Sequence, residues 1–213
     1  MGGHVGSASW SPDGGFITFD GSGFPGSQNT GIYLIPSDGG AVRRLTDAGE
    51  GAIVPGWSHD SKWVYYSTDD PRSELWKVPV DGGPPVRVSE GPEWEPVESQ
   101  DGRWLYYTKP YGAQGIWRRL VSGGPEELLP GTEGVRTRHW LPHRDGVYII
   151  DGAAQLHLRL VVPATGRVRT IARIPPRIAQ GPHGLAVSPD GQTIVYAQDD
   201  LTLSDILFLE RVE

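Results

Sequence analysis

Six histidines, one recurring aspartate and a complete lack of cysteine bound the chemistry open to this 213-residue chain. Without Cys, thiolate nucleophiles, thiolate metal sites and disulfides are excluded. The aspartate recurs at Asp13, Asp60, Asp101, Asp145 and Asp190, each followed by Gly or Ser. A calcium loop concentrates several oxygen ligands in one short stretch. Here each stretch supplies one carboxylate, which reads as a turn residue accepting hydrogen bonds from nearby backbone N–H groups. His139 and His143 stand four apart, the spacing of a zinc pair on a helix. Pro142 between them places them on a strand and its following turn, so that pairing loses its geometry. His59 reads as exposed, and His4 and His157 follow no pattern. No Gly-x-Ser-x-Gly nucleophile elbow is present.

The elements that position these groups follow from a repeat. Trp10-Ser11-Pro12-Asp13-Gly14, Trp57-Ser58-His59-Asp60-Ser61, Glu98-Ser99-Gln100-Asp101-Gly102, Pro142-His143-Arg144-Asp145-Gly146 and Val187-Ser188-Pro189-Asp190-Gly191 are variants of one phrase. Their aspartates are separated by 47, 41, 44 and 45 residues, the period of a propeller blade built from several short strands. The chain is read as all-β: a single propeller domain over 1–213, with five consecutive four-stranded blades at about 4–48, 49–91, 92–133, 134–179 and 180–213.

In each unit an inner strand enters the Ser-x-Asp turn, and an alternating strand leaves it: Phe16–Phe19, Trp63–Tyr66, Trp104–Tyr107, Val147–Ile150 or Ile194–Tyr196. A third strand and a glycine turn such as Asp38-Gly39-Gly40 lead to an outer strand, because glycine tolerates the positive φ of such turns. The expected total is nineteen strands. The fifth blade lacks its outer strand, with Ile206–Leu209 as the final edge, so the chain is expected to be the end of a larger, six- to eight-bladed wheel.

The inner strand of a blade lines the central channel, and the residues four and five before the repeat serine lie at its entry. The blades contribute Ser7 and Gly6, Val54 and Ile53, Glu95 and Trp94, His139 and Arg138, Gly184 and His183. An indole platform with convergent polar groups is the ordinary form of a ligand pocket. Trp94, Glu95, Arg138, His139 and His183 are therefore the candidate ligand-binding residues, and an ion pair between Glu95 and Arg138 across the channel is the structural alternative. No catalytic residue, metal site or cofactor is expected.

The inner-strand ends, the aromatic strands and the Gly-Gly turn into Arg43-Arg44-Leu45-Thr46 resemble TolB-like β-propeller repeats, the Ser-Pro-Asp-Gly relatives of WD repeats. From Gly115-Ile116-Trp117 through Arg138-His139-Trp140 and Asp145–Ile150 to Gly184–Gly191 and Ser204–Glu210, the chain resembles the C-terminal propeller of bacterial regulators. Those regulators begin with a winged-helix or Ser/Thr-kinase domain. The resemblance implies a binding or sensory scaffold whose partner is another protein or an upstream domain of the parent chain. The competing class is a propeller lyase or hydrolase centred on His139 and His183.

A net charge of −7 argues against gripping a nucleic-acid backbone. No apolar run approaches the roughly 18 residues that span a bilayer, so no membrane partner is expected. Loops Asp20–Thr30 and Lys109–Gln114 are the candidate docking loops, and the open last edge is a candidate for self-association. As a regulator fragment the chain would be cytoplasmic; behind an upstream signal peptide it would be periplasmic.

Overall fold

The computed structural model describes residues 4–24, 29–47, 51–110, 112, 114–135, 139–152, 155–175, 184–199 and 204–210. Within them the chain forms nineteen strands in five antiparallel meanders. Blade 1 holds β1 (His4–Trp10), β2 (Phe16–Ser22), β3 (Gly31–Pro36) and β4 (Arg43–Arg44). Blade 2 holds β5 (Ala52–Trp57), β6 (Trp63–Thr68), β7 (Leu75–Pro79) and β8 (Val86–Arg87). Blade 3 holds β9 (Trp94–Glu98), β10 (Trp104–Thr108), β11 (Ile116–Leu120) and β12 (Glu127–Leu128). Blade 4 holds β13 (Trp140–His143), β14 (Gly146–Asp151), β15 (Leu156–Val162) and β16 (Arg167–Ile174). Blade 5 has three strands, β17 (Leu185–Val187), β18 (Thr193–Asp199) and β19 (Ser204–Glu210). The all-β propeller read from the repeat is the observed fold, last blade included.

Strand alternation builds the seams between blades. Val64 and Tyr66 of β6 face blade 1 and pack with Ile32 and Leu34, while Tyr65 faces blade 3 and packs with Leu105 and Tyr107. Tyr106 in turn packs with Trp140, Val147 and Ile149 of blade 4, and Tyr148 and Ile150 pack with Leu185 and Tyr196 of blade 5. Both faces of β6, β10 and β14 are thereby buried, which is why these strands are apolar at successive positions. β1 is mostly exposed, with Val5 and Trp10 at 55% and 60%, whereas its counterpart β5 is almost wholly buried.

The outer strands β4, β8 and β12 are short, two residues each. In blade 1 the Leu45 N–H still donates to the Ile32 carbonyl, but the Ile32 N–H is met by the Thr46 hydroxyl at 3.1 Å. Thr132 does the same for Ile116 in blade 3 at 3.0 Å. A side chain thus takes over the edge and the chain peels away. β16 is longer, at eight residues, because it stays paired with the seven-residue β15 through a bulge at Leu158/Arg159.

The repeated turn is a local network. Ser11, Ser58, Ser99 and Ser188 each donate to the aspartate two residues on, at 2.5–2.7 Å. Each serine oxygen also accepts the N–H five residues on, and each aspartate accepts the N–H two residues beyond itself. The serine hydroxyl is the main reason that the carboxyls of Asp13, Asp60, Asp101 and Asp190 are held below the usual carboxylate range. A depressed folded-state pKa contributes stability above the unfolded pKa of about 3.9, and that contribution is lost as pH falls through the folded value. Ser58→Ala is therefore expected to destabilise more near pH 6 than near pH 2. Urea unfolding of wild type and variant at both pH values checks this; a difference independent of pH would contradict it.

Candidate functional site

Where the sequence placed the channel mouth, the inner strands of blades 2 and 3 leave regular geometry at equivalent residues. Val54 has φ 53° and Glu95 φ 60°, a left-handed conformation that side chains rarely adopt and that costs most for a β-branched residue. Both lie at irregularities in pairing, between Ile53 and Gly56 in β5 and opposite Tyr106 to Thr108 in β9. Such bulges re-aim side chains. The Val54 N–H donates to Asp20 Oδ2 at 2.9 Å, tying blade 1 to blade 2. Asp20 is buried, and its other oxygen rests against Gly6.

Glu95 is buried too. Its Oε2 accepts hydrogen bonds from Trp140 Nε1 and Thr108 Oγ1, both at 3.2 Å, so it ties blade 3 to blade 4. Trp94 starts β9 half-buried, and its carbonyl accepts from the Thr108 hydroxyl. His139 precedes β13, is buried, and packs so closely on Gly184 that a Cβ there would lie 2.5 Å from Nε2. Glu95 and His139 thus sit in neighbouring seams, 3/4 and 4/5. Arg138 and His183 lie outside the described residues.

The candidate docking loop after β10 begins at a charged knot. Lys109 pairs with Glu126, lies 4.0 Å over the Trp117 ring, and shares Glu126 with the Tyr107 hydroxyl. Beside it Arg119 pairs with Glu93, whose carboxyl is pushed up by burial and drawn back by that guanidinium. Residues 111 and 113 of this loop, and 25–28 of the Asp20–Thr30 loop, lie outside the described residues.

The opposite ends of the inner strands carry the Ser-x-Asp turns, and there the seams differ. In seams 1/2 and 2/3 the residue just before the repeat serine reaches back towards the preceding blade. Trp57 donates its indole N–H to the Ser9 carbonyl at 3.1 Å, and the Asp13 N–H donates to Ser61 Oγ. Glu98 accepts the His59 N–H at 2.8 Å and the Tyr65 hydroxyl at 2.5 Å, with His59 Nδ1 at 3.2 Å. Between blades 4 and 5, His143 Nε2 lies 3.3 Å from the Pro189 carbonyl, and Arg144 donates to the Asp190 carbonyl at 3.1 Å.

Seam 3/4 carries Pro142 at the reaching position, a residue too short for that span. A groove of about 520 Å³ lies there, between the Ser99–Asp101 and His143–Asp145 turns, with Trp104 and Tyr106 as its aromatic wall. The Arg118 guanidinium stacks over Trp104 at 4.2 Å and pairs with Glu127 at 2.6 Å. Aromatic surface edged by polar groups is the composition of a binding pocket. Trp94, Glu95 and His139 do not line this groove. Its signal was available: Pro142 is the one imino acid in the column Trp10, Trp57, Glu98, Pro142, Val187. Among the described residues, no group of three or more His, Cys, Asp or Glu is arranged to hold a metal ion, and no helix is long and apolar enough to cross a membrane.

No family model matches the chain. An uncharacterized protein of Agrobacterium fabrum is 35% identical over 91 residues, 41% of this chain and 30% of that protein. Among solved structures, TolB from Acinetobacter baumannii superposes with TM-score 0.79 at 19% identity, over 98% of this chain and 52% of that one. A putative TolB from Agrobacterium tumefaciens gives 0.68 at 23%, over 95% and 73%. An oligogalacturonate lyase in complex with manganese shares the wheel at TM-score 0.58 and 14% identity, over 93% and 72%. The chain therefore spans about half the length of the first of these structures and under a third of the curated relative. At these identities the likeness is one of fold. Blade order, Ser-x-Asp turns and superposition agree: this chain has the fold of a TolB-like β-propeller.

Proposed function

We propose that the chain is a non-enzymatic binding scaffold, a rigid sector of blades that engages another protein or a further domain of its parent chain. The observation that carries this reading is the seam 3/4 groove. The other three seams are closed at this face by bonds between neighbouring blades, while this one presents an aromatic wall on a scaffold braced from both sides. Sites held on rigid elements can recognise a partner with little ordering cost. The channel mouth around Trp94, Glu95, Arg138, His139 and His183 is a lesser ligand position, since Glu95 is already committed to joining blades 3 and 4. The likeness to a manganese-bound lyase supports a second reading, a channel enzyme using His139 and His183.

The cysteine-free sequence makes the test clean. Gln100→Cys on the groove rim and Asp38→Cys on a remote turn, each carrying a thiol-linked photo-crosslinker, are irradiated in native cell extract. One defined protein adduct at position 100 and none at position 38 is expected, with the adduct identified by mass spectrometry. Manganese-dependent cleavage of oligogalacturonate by the wild-type chain, lost in His139→Ala, would overturn the scaffold reading.

A further inference from the structure

The wheel carries its own template for what the seam 3/4 groove accepts. In seam 2/3 the corresponding space is filled by the Glu98 carboxylate, which meets a backbone N–H at the turn (His59) and a tyrosine hydroxyl from the adjacent strand (Tyr65). Moving one blade along the repeat, His59 becomes Gln100, Tyr65 becomes Tyr106, and Glu98 becomes Pro142. Gln100 and Tyr106 both line the groove. The two donor positions that hold Glu98 are therefore repeated in seam 3/4, but the chain supplies no carboxylate between them.

Charged neighbours of both signs surround the groove. In blade 2 the cation above the central aromatics is Lys77, 4.7 Å from the Trp63 ring and 5.9 Å from that of Tyr65. In blade 3 it is Arg118, 4.2 Å from the Trp104 ring and paired with Glu127. A tyrosine hydroxyl has its own proton to donate, and a hydrogen bond to a charged carboxylate is among the stronger ones. Arg144 adds a second, largely exposed cation on the rim. Asp101 and Asp145 also line the groove. Asp101 is held by the Ser99 hydroxyl and the Arg103 N–H, as Asp60 is held by Ser58 and Lys62 on the rim where Glu98 already sits. Asp145 lies 4.0 Å from Arg144 and 3.5 Å from His143. A carboxylate entering this groove meets Asp101, the counterpart of the aspartate that Glu98 tolerates, together with Asp145 and Arg144.

We infer that the groove between blades 3 and 4 binds an acidic side chain of a protein partner, its carboxylate accepting from the Gln100 N–H and the Tyr106 hydroxyl beside Arg118. This rests on the scaffold reading and gives its partner a chemistry.

The test uses amide NMR of the ¹⁵N-labelled chain with three probes: acetyl-Ala-Glu-Ala-amide, acetyl-Ala-Gln-Ala-amide, and acetyl-Ala-Ala-Ala with a free C-terminus. The Glu peptide is expected to move the Gln100 amide resonance saturably, with Kd on the order of 1 mM. The Gln peptide should bind at least about tenfold more weakly. The third probe tells a side-chain from a C-terminal carboxylate: a response to it equal to or larger than that to the Glu peptide would overturn the side-chain assignment. Pro142→Glu should plug the groove from within, shifting the Gln100 amide without ligand and abolishing the peptide response. Tyr106→Phe removes one donor and should weaken binding about five- to tenfold, an independent check should Pro142→Glu fail to fold. Equal responses to the Glu and Gln peptides, or undiminished binding in a folded Pro142→Glu or Tyr106→Phe variant, would overturn the inference. Those outcomes leave the crosslinking result standing, so the scaffold reading fails or survives separately.

Discussion

Glu98→Ala is expected to lower the unfolding free energy by about 2–4 kcal/mol. Glu98 is 9% exposed and joins blades 2 and 3 through three contacts: the His59 N–H, the His59 ring and the Tyr65 hydroxyl. Truncation leaves the Tyr65 hydroxyl, on a residue 2% exposed, without its acceptor. An orphaned buried donor costs more than a hydrogen bond contributes on average, because its desolvation is no longer compensated. Tyr65 registers this dependence: burial first, then the bond to Glu98 and its charge, raise its hydroxyl pKa. Urea unfolding followed by tryptophan fluorescence measures the loss. Glu98→Gln keeps one acceptor oxygen and should lose less than half as much. A loss below about 1 kcal/mol for the alanine variant would mean that water replaces the carboxylate at little cost. Glu98→Ala should also open a second groove of the seam 3/4 kind, so one substitution tests both a stabilising contact and the origin of the candidate site.

The Ser-x-Asp turns and the seams were legible in the sequence because each rests on local rules. A serine, an aspartate and the N–H groups two and five residues away close a network whatever the rest of the chain does, so blade 3 keeps it despite Gln100 in place of proline. Alternation in Trp63-Val64-Tyr65-Tyr66 assigns residues to opposite faces before any partner is known. The mouth was legible only in part. Trp94, Glu95 and His139 lie at or beside inner-strand entries, as alignment of the repeats placed them, yet alignment says nothing of burial. Nothing in the residue types at Val54 and Glu95 marks a left-handed backbone, since that conformation is held by Asp20 from another blade and by a bulge. The groove was missed for the complementary reason. Its cause is the reach of one side chain across a seam, and the width of a seam appears only once two blades are set side by side. Glu98 carries a carboxylate that bridges its seam, and Pro142 has no polar side-chain group with which to do so.

Gly56→Ala tests that close approach from the other side and is expected to be the most damaging single methyl in the wheel. A Cβ on Gly56 would lie 1.9 Å from the carbonyl oxygen of Pro96. Both groups belong to inner strands, β5 and β9, so relief cannot come from a side-chain rotation. The two backbones must separate, and Val64, Tyr65, Tyr66, Leu105 and Tyr107 are packed into the seams on either side of blade 2. Overpacking costs about 1–3 kcal/mol when side chains can yield; with backbone on backbone the expected cost is about 3–4 kcal/mol, near the upper end for single substitutions. In an array of blades the damage concentrates at the interface concerned, because each unit is stabilised mainly by its neighbours. Hydrogen exchange should therefore show amides of blades 2 and 3 losing protection before those of the β14–β15–β16 sheet. A variant with an unchanged urea midpoint, or one that loosens blade 4 first, would show that the inner strands can part without cost and that the seams do not set the stability of the wheel.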